Sequence, residues 1–256
     1  MESLKLALIQ TDLFWERPQE NRDNIENQLN NINEKVDIII LPEMFSSGFT
    51  MNPKVVSEKM DGETVQWMKQ KAVTTNAAIC GSLVIEDSDK FYNRFLFVKP
   101  DGEIECYDKR HTFTLAGEHE VYESGLEKII IDYKGWKICP LICYDLRFPV
   151  WARNVEDYDL LLYVANWPTP RINAWDALLK ARAIENMSYC IGVNRIGEDE
   201  NGHEYSGHSA VYDVLGKPIN FSEKKEVIIT EIFKREIELY RNKLKFLQDR
   251  DTFNLK

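Results

Sequence analysis

The sequence predicts an α/β protein with mixed sheets sheltered by helices, and three observations carry that prediction. Short apolar runs, such as Val36 to Leu41 and Asp159 to Ala165 (DLLLYVA), read as strands covered on both faces. Segments rich in helix formers separate the early strands, which suits strands connected by crossovers. Later strand candidates sit close together around turn residues, which suits hairpins.

From the N-terminus, Leu4 to Gln10 alternates apolar and polar residues and reads as a strand. A helix is expected from Glu20 to Asn31, opened by Pro18, because proline is tolerated in a first helical turn. The run from Val36 to Leu41 ends at Pro42-Glu43, and a second helix follows Asp61-Gly62 with Val65, Met68 and Ala72 on one side. Ala77 to Ile85 and Phe91 to Val98 are the next strands, followed by the turn Pro100-Asp101-Gly102 and a short strand to Tyr107. Ile129 to Ile131 and Trp136 to Ile142 form a pair around Gly135, and Asp159 to Ala165 is another buried strand. Asn173 to Asn186 reads as a helix. Strands are then expected at Tyr189 to Asn194, Ser206 to Tyr212 and Glu226 to Ile232, before a charged helix or tail from Phe233. Without a low-complexity linker or a fixed-period repeat, one domain spanning residues 1–256 is the expectation.

A chain of 256 residues can bury a core without disulfides or metals. The formal charge of −10, with no long basic block, argues against nucleic acid as a partner. The apolar runs are too short to span a bilayer, and the start, MESLKL, has no signal-peptide pattern. The five cysteines are scattered and odd in number, so a reducing cytoplasm is the expected location. Cys139 and Cys143 are spaced as C-x3-C, neither a redox pair nor a zinc pattern, and no metal is expected.

Three segments carry candidate chemistry. Glu43 follows a buried strand, a place where polar residues line functional crevices, although an ordinary loop acid also fits there. Lys109 lies in Tyr107-Asp108-Lys109-Arg110-His111, where the bland alternative is a solvated turn. Cys143 stands where the strand ICPLI breaks into polar residues, and its bland alternative is a buried structural thiol. Together they make a coherent set. A thiolate attacks an amide carbonyl, and a carboxylate accepts the thiol proton and returns it to departing ammonia. An ammonium group, helped by the Tyr144 backbone N–H, stabilises the oxyanion. That chemistry requires no histidine, metal or organic cofactor.

The contexts ILPEMF, YDKRH and ICYDLRFP resemble the carbon–nitrogen hydrolase, or nitrilase-like, superfamily over essentially the whole chain. FSSGFT, CGSLVIE, YNRFLFV, AGEH, ANWP, KARAIEN and FLQDRDTF look like its omega-amidase branch. The resemblance implies a four-layer α-β-β-α sandwich, a homodimer, and a Glu43–Lys109–Cys143 triad. It also implies a second active-site glutamate, for which Glu118 is the choice over Glu120 and Glu123. The implied substrates are small carboxamides, namely the distal amides of 2-oxo acids such as 2-oxoglutaramate and 2-oxosuccinamate. The segment His111 to Leu115 departs from close relatives, which often carry an arginine or another bulky residue there, and it is expected to border the pocket and bear on substrate preference.

Arg147 is a candidate for the substrate carboxylate, because a guanidinium matches a planar anion bidentately, and Arg171 has a similar claim. Phe45, Trp167 and Tyr144 are expected to wall the pocket, with Asn166 orienting substrate or capping a loop. Trp151 reads as packing, and a cysteine–histidine pair using His203 or His208 is unnecessary beside Glu43 and Lys109. Within the same fold, the competing reading is an amidase or carbamoylase for another small carboxylated amide. A non-catalytic scaffold is a reading of a different kind, and the intact triad argues against it.

Overall fold

The computed structural model describes residues 2–255. In chain order the strands begin with β1 (Ser3–Gln10), β2 (Ile38–Ile40), β3 (Ala78–Asp87), β4 (Lys90–Val98) and β5 (Ile104–Asp108). They continue with β6 (Ile131–Tyr133), β7 (Trp136–Ile142), β8 (Leu160–Ala165), β9 (Tyr189–Asn194) and β10 (Ile196–Glu198). The last are β11 (Glu204–Ser206), β12 (Ser209–Tyr212), β13 (Pro218–Ser222) and β14 (Glu226–Phe233). The helices are α1 (Pro18–Leu29), α2 (Pro53–Val56), α3 (Glu63–Thr75), α4 (Glu118–Val121), α5 (Pro149–Ala152), α6 (Ile172–Asn186) and α7 (Lys234–Leu244).

One six-stranded sheet runs β14-β1-β2-β3-β4-β5 and the other runs β13-β12-β9-β8-β7-β6, with β10 and β11 forming a separate ribbon. A single apolar cluster joins Leu6, Ile40 and Phe97 of the first sheet to Ile138, Leu162 and Val193 of the second, so the two sheets share one core. On its other face the first sheet packs Ile39, Ile79 and Leu96 against Ile25 of α1 and Val65, Met68 and Ala72 of α3. The second sheet is covered by α6 through Trp175, Leu179 and Ala183. This is the four-layer α-β-β-α sandwich. No helix among the described residues is long and apolar enough to cross a membrane.

Local chemistry explains the elements. Pro18 opens α1, and the Glu58 carboxylate accepts the Thr64 N–H at 2.8 Å in the first turn of α3, satisfying a donor that the helix itself cannot. Asn76 and Met187 end α3 and α6 in the left-handed region, at φ 51° and 47°. The strand expected from Ser206 to Tyr212 is broken in two, because Gly207 (φ 75°) and His208 (φ 62°) turn the chain between β11 and β12. The strand expected at Ile129 to Ile131 begins only at Ile131 and pairs around Lys134-Gly135, both at positive φ.

Parallel pairing sets the position of the site. Strand β2 lies parallel to β1 and β3, and β8 lies parallel to β7 and β9. The carboxyl ends of such strands open onto the crevice where an α/β fold places its ligands. Glu43 follows β2, Cys143 follows β7, and Asn166 and Trp167 follow β8.

Gly192 allows α6 to approach β9 closely, since a Cβ there would lie 2.4 Å from Leu179 Cδ1 and 2.5 Å from Trp175 Cζ2. Gly192→Val should therefore cost about 1–3 kcal/mol, as overpacked cores do. A urea midpoint equal to that of wild type would show that α6 can move away freely.

Candidate active site

Glu43 is carried on a sharply turned loop after β2. Met44 adopts φ 43° and donates its N–H to Ser82 Oγ at 2.9 Å, which anchors the loop to β3. Gly81 permits that approach, because a Cβ there would sit 2.9 Å from both Leu41 Cβ and Phe45 Cδ1. Lys109 follows β5, with its backbone N–H donated to the Asn93 carbonyl at 3.0 Å.

The Lys109 ammonium, 1% exposed, donates to Glu43 Oε1 at 2.9 Å and to Glu118 Oε1 and Oε2 at 3.0 and 2.9 Å. Its three protons thus meet three carboxylate oxygens. Asn93 Nδ2 bridges the same two acids, at 2.8 Å to Glu43 and 3.2 Å to Glu118. The second Glu43 oxygen accepts the Asn166 backbone N–H at 2.8 Å, and Asn166 Nδ2 donates to the Glu43 carbonyl at 2.7 Å. Glu43 is thereby held from both sheets at once.

Cys143 leaves β7 at φ 43°, a left-handed conformation that costs a residue with a Cβ roughly 1–3 kcal/mol and persists where its surroundings over-determine it. Asp145 supplies much of that determination. Its fully buried carboxylate accepts the Ile142 N–H at 3.0 Å and the Tyr107 hydroxyl at 2.8 Å on one oxygen. On the other it accepts the His111 N–H at 3.0 Å and lies 2.8 Å from His111 Nδ1. One side chain therefore ties the cysteine turn to the segment that carries Lys109.

These groups meet a cavity of about 590 Å³ lined by Lys109, Cys143, Tyr144, Arg147, Trp167 and Arg171, among others. The arrangement brings a nucleophile and an ammonium group, with a carboxylate bonded behind it, to a cavity that also holds two guanidinium groups.

The carbon–nitrogen hydrolase family model matches residues 5–242. The chain belongs to the carbon–nitrogen hydrolase family. It is 44% identical to omega-amidase YafV of Yersinia enterocolitica, with all of both chains covered. It is 31% identical to a 2-oxoglutaramate amidase of Bacillus subtilis over 88% of each. A solved carbon–nitrogen hydrolase superfamily protein of Xanthomonas campestris, with an arsenic adduct in its active site, superposes with a TM-score of 0.97 at 41% identity over all of both chains.

Of the residues singled out in this carbon–nitrogen hydrolase, the structure gathers Glu43, Lys109, Glu118 and Cys143 into one cluster. Glu120 is exposed and Glu123 pairs with Lys90, so Glu118 alone of the three nearby acids reaches Lys109. Tyr144, Arg147, Trp167 and Arg171 line the cavity. Phe45 does not. The positive φ of Met44 turns Phe45 back into the core of the first sheet, where it is fully buried and its ring centroid lies 6.1 Å from that of Trp67. Phe49 and Phe113 take the place on the cavity wall expected for it. Trp151 packs, donating its indole N–H to the Tyr107 hydroxyl at 3.0 Å. Sequence reasoning missed Asn93 and Asp145. A lone asparagine inside an apolar strand and an acid two residues after the cysteine were the available signals.

Burial alone would lower the Lys109 pKa, but the Glu118 and Glu43 carboxylates raise it above the ordinary lysine range, so the ammonium stays charged at neutral pH. Burial, then the charge and hydrogen bonding of Glu43, push the Cys143 thiol well above its ordinary range, with Lys109 opposing. The resting sulfur is therefore a thiol rather than a preformed thiolate. Alkylation of Cys143 by iodoacetamide should rise with pH through neutrality and beyond pH 9.0, the ordinary thiol value. A rate plateau reached below neutrality would show a preformed thiolate and overturn this assignment.

Proposed function

We propose that this enzyme is an omega-amidase, hydrolysing the distal amide of 2-oxo acids such as 2-oxoglutaramate and 2-oxosuccinamate to the oxo-dicarboxylic acid and ammonia. The observation that carries the reading is the buried Lys109 ammonium shared by Glu43 and Glu118 beside Cys143. The omega-amidase and 2-oxoglutaramate amidase relatives support the substrate class.

Cys143 Sγ attacks the amide carbonyl while Glu43 takes the thiol proton. The raised thiol pKa makes that transfer part of the attack itself. Lys109 and the Tyr144 backbone N–H stabilise the oxyanion. Glu43 then protonates departing ammonia, leaving a thioester, and afterwards deprotonates the water that releases the acid and returns that proton to the departing Cys143 sulfur. Glu118 positions Lys109 and offsets the cost of its burial. Arg147 holds the substrate carboxylate, with its guanidinium 4.9 Å above the Trp167 ring, while Tyr144 and Trp167 exclude bulk water.

A larger carboxylated amide is the second reading, favoured by the cavity volume of about 590 Å³. The chain is taken to act as one cytoplasmic domain and as a homodimer, a pairing supported by exposed Val150 on α5 and Ile184 on α6. Light scattering should then give twice the 30.0 kDa chain mass, and a single-chain mass would remove the dimer.

Ammonia release from 2-oxoglutaramate, 2-oxosuccinamate and a simple aliphatic amide tests the chemistry. Cys143→Ala should fold and lose turnover, and Glu43→Gln should fall about 100- to 10,000-fold, the usual contribution of a positioned acid–base group. Ammonia release retained by Cys143→Ala would remove the mechanism. Activity on other carboxylated amides alone would move the substrate.

A further inference from the structure

Arg171 stands at the start of α6 and lines the same cavity as Arg147. Its guanidinium carbon lies 5.2 Å from the Phe113 ring centroid. Several arginines of this acidic chain pair with carboxylates: Arg94 with Asp108, Arg22 with Glu63, Arg182 with Glu185. Among the described residues, neither Arg147 nor Arg171 has a carboxylate or hydrogen-bond partner for its guanidinium. Aromatic faces hold both groups while leaving their N–H edges free for a ligand.

Arg171 is also anchored from both sides of the cavity. Its carbonyl accepts the Trp167 indole N–H at 2.8 Å. Phe113, beneath its guanidinium, meets the Tyr144 ring edge-on at 4.9 Å and donates its backbone N–H to Glu118. Its placement is thus coupled to both the cysteine turn and the lysine segment.

Resting on the omega-amidase reading, we propose that Arg171 selects 2-oxo acid amides over the corresponding amino acid amides. A 2-oxo acid presents acceptor oxygens on two adjacent carbons. The fork of Arg147 is satisfied by the carboxylate, and Arg171 donates to the neighbouring 2-oxo oxygen. Glutamine, of nearly the same shape, carries an ammonium group at that carbon. It offers no acceptor and meets a like charge, so the same residue favours one substrate and rejects the other.

Two acids also line the cavity, and hydrogen bonds hold them in place. Asp199 accepts the Tyr205 hydroxyl at 2.8 Å and the N–H groups of Asn201 and His203 at 2.9 and 3.0 Å. Glu16 accepts the Thr50 hydroxyl at 2.6 Å.

The test compares ammonia release from 2-oxoglutaramate, glutaramate (the same chain without a 2-substituent) and glutamine for wild type, Arg171→Gln and Arg171→Lys. Arg171→Gln should lower kcat/KM for 2-oxoglutaramate about 10- to 100-fold more than it lowers that for glutaramate, the worth of a charge-assisted hydrogen bond. Its preference for 2-oxoglutaramate over glutamine should collapse. Arg171→Lys keeps the charge and should still reject glutamine. Glutaramate turnover is the internal check that the variants fold. Equal losses on 2-oxoglutaramate and glutaramate, or an unmoved 2-oxoglutaramate-to-glutamine ratio, would overturn the role of Arg171 alone. Wild-type turnover of glutaramate with silence on 2-oxoglutaramate would overturn the omega-amidase reading and this proposal with it.

Discussion

A lysine ammonium with almost no exposure to water is the constraint on which the rest of this molecule depends. Desolvating such a charge costs several kcal/mol, and only well-placed opposite charges offset it. Lys109 meets that condition with two carboxylates drawn from separate parts of the chain, Glu43 before it and Glu118 after it. Removing either acid takes part of the ammonium's hydrogen bonding with it, and removing Lys109 sets two buried carboxylates against each other. The cluster is consequently tightly bonded, with the Cys143 thiol beside it. Electrostatics of that kind keep the sulfur protonated at rest and make the nearby carboxylate its natural proton acceptor.

Rigidity on this scale needs support from outside the cluster. Asn166, at the end of β8 in the second sheet, binds the backbone and side chain of Glu43 from the first. Asp145 joins the cysteine turn to His111 and Tyr107. Asn194, at the end of β9, accepts the Trp167 N–H at 2.7 Å and donates to the Trp167 and Gly207 carbonyls at 2.9 and 2.7 Å. Such buried side chains span gaps between strands that backbone ladders cannot bridge, and they hold a left-handed cysteine in place.

The cavity departs from the electrostatic character of the whole chain. A net charge of −10 would repel a carboxylate approaching at random. Inside the cavity, however, Arg147 and Arg171 present free guanidinium edges over aromatic rings. Attraction for an anion is therefore concentrated next to the thiol. The anionic end of a substrate can settle there, leaving its amide to reach toward Lys109 and Glu43.

Much of this is legible in the sequence alone. Apolar runs marked the strands of the core, and ILPEMF, YDKRH and ICYDLRFP marked Glu43, Lys109 and Cys143, because nucleophile, base and cation are chemically distinctive residue types in distinctive contexts. Phe45 shows where that legibility stops. Its place in FSSGFT is compatible with a cavity wall, but the left-handed turn at Met44 directs it into the core, and a backbone torsion of that kind has no reliable signature in a methionine codon's neighbours. Asn93 and Asp145 were silent for a related reason: an asparagine or aspartate becomes a clamp only when donors from distant segments converge on it. Residue types and their order along the chain determined the available chemistry. Which side chains share a cavity, which charges stay unpaired and which acid reaches the lysine were decided by tertiary structure, because those depend on contacts between distant segments, such as Glu43 and Asn166, 123 residues apart.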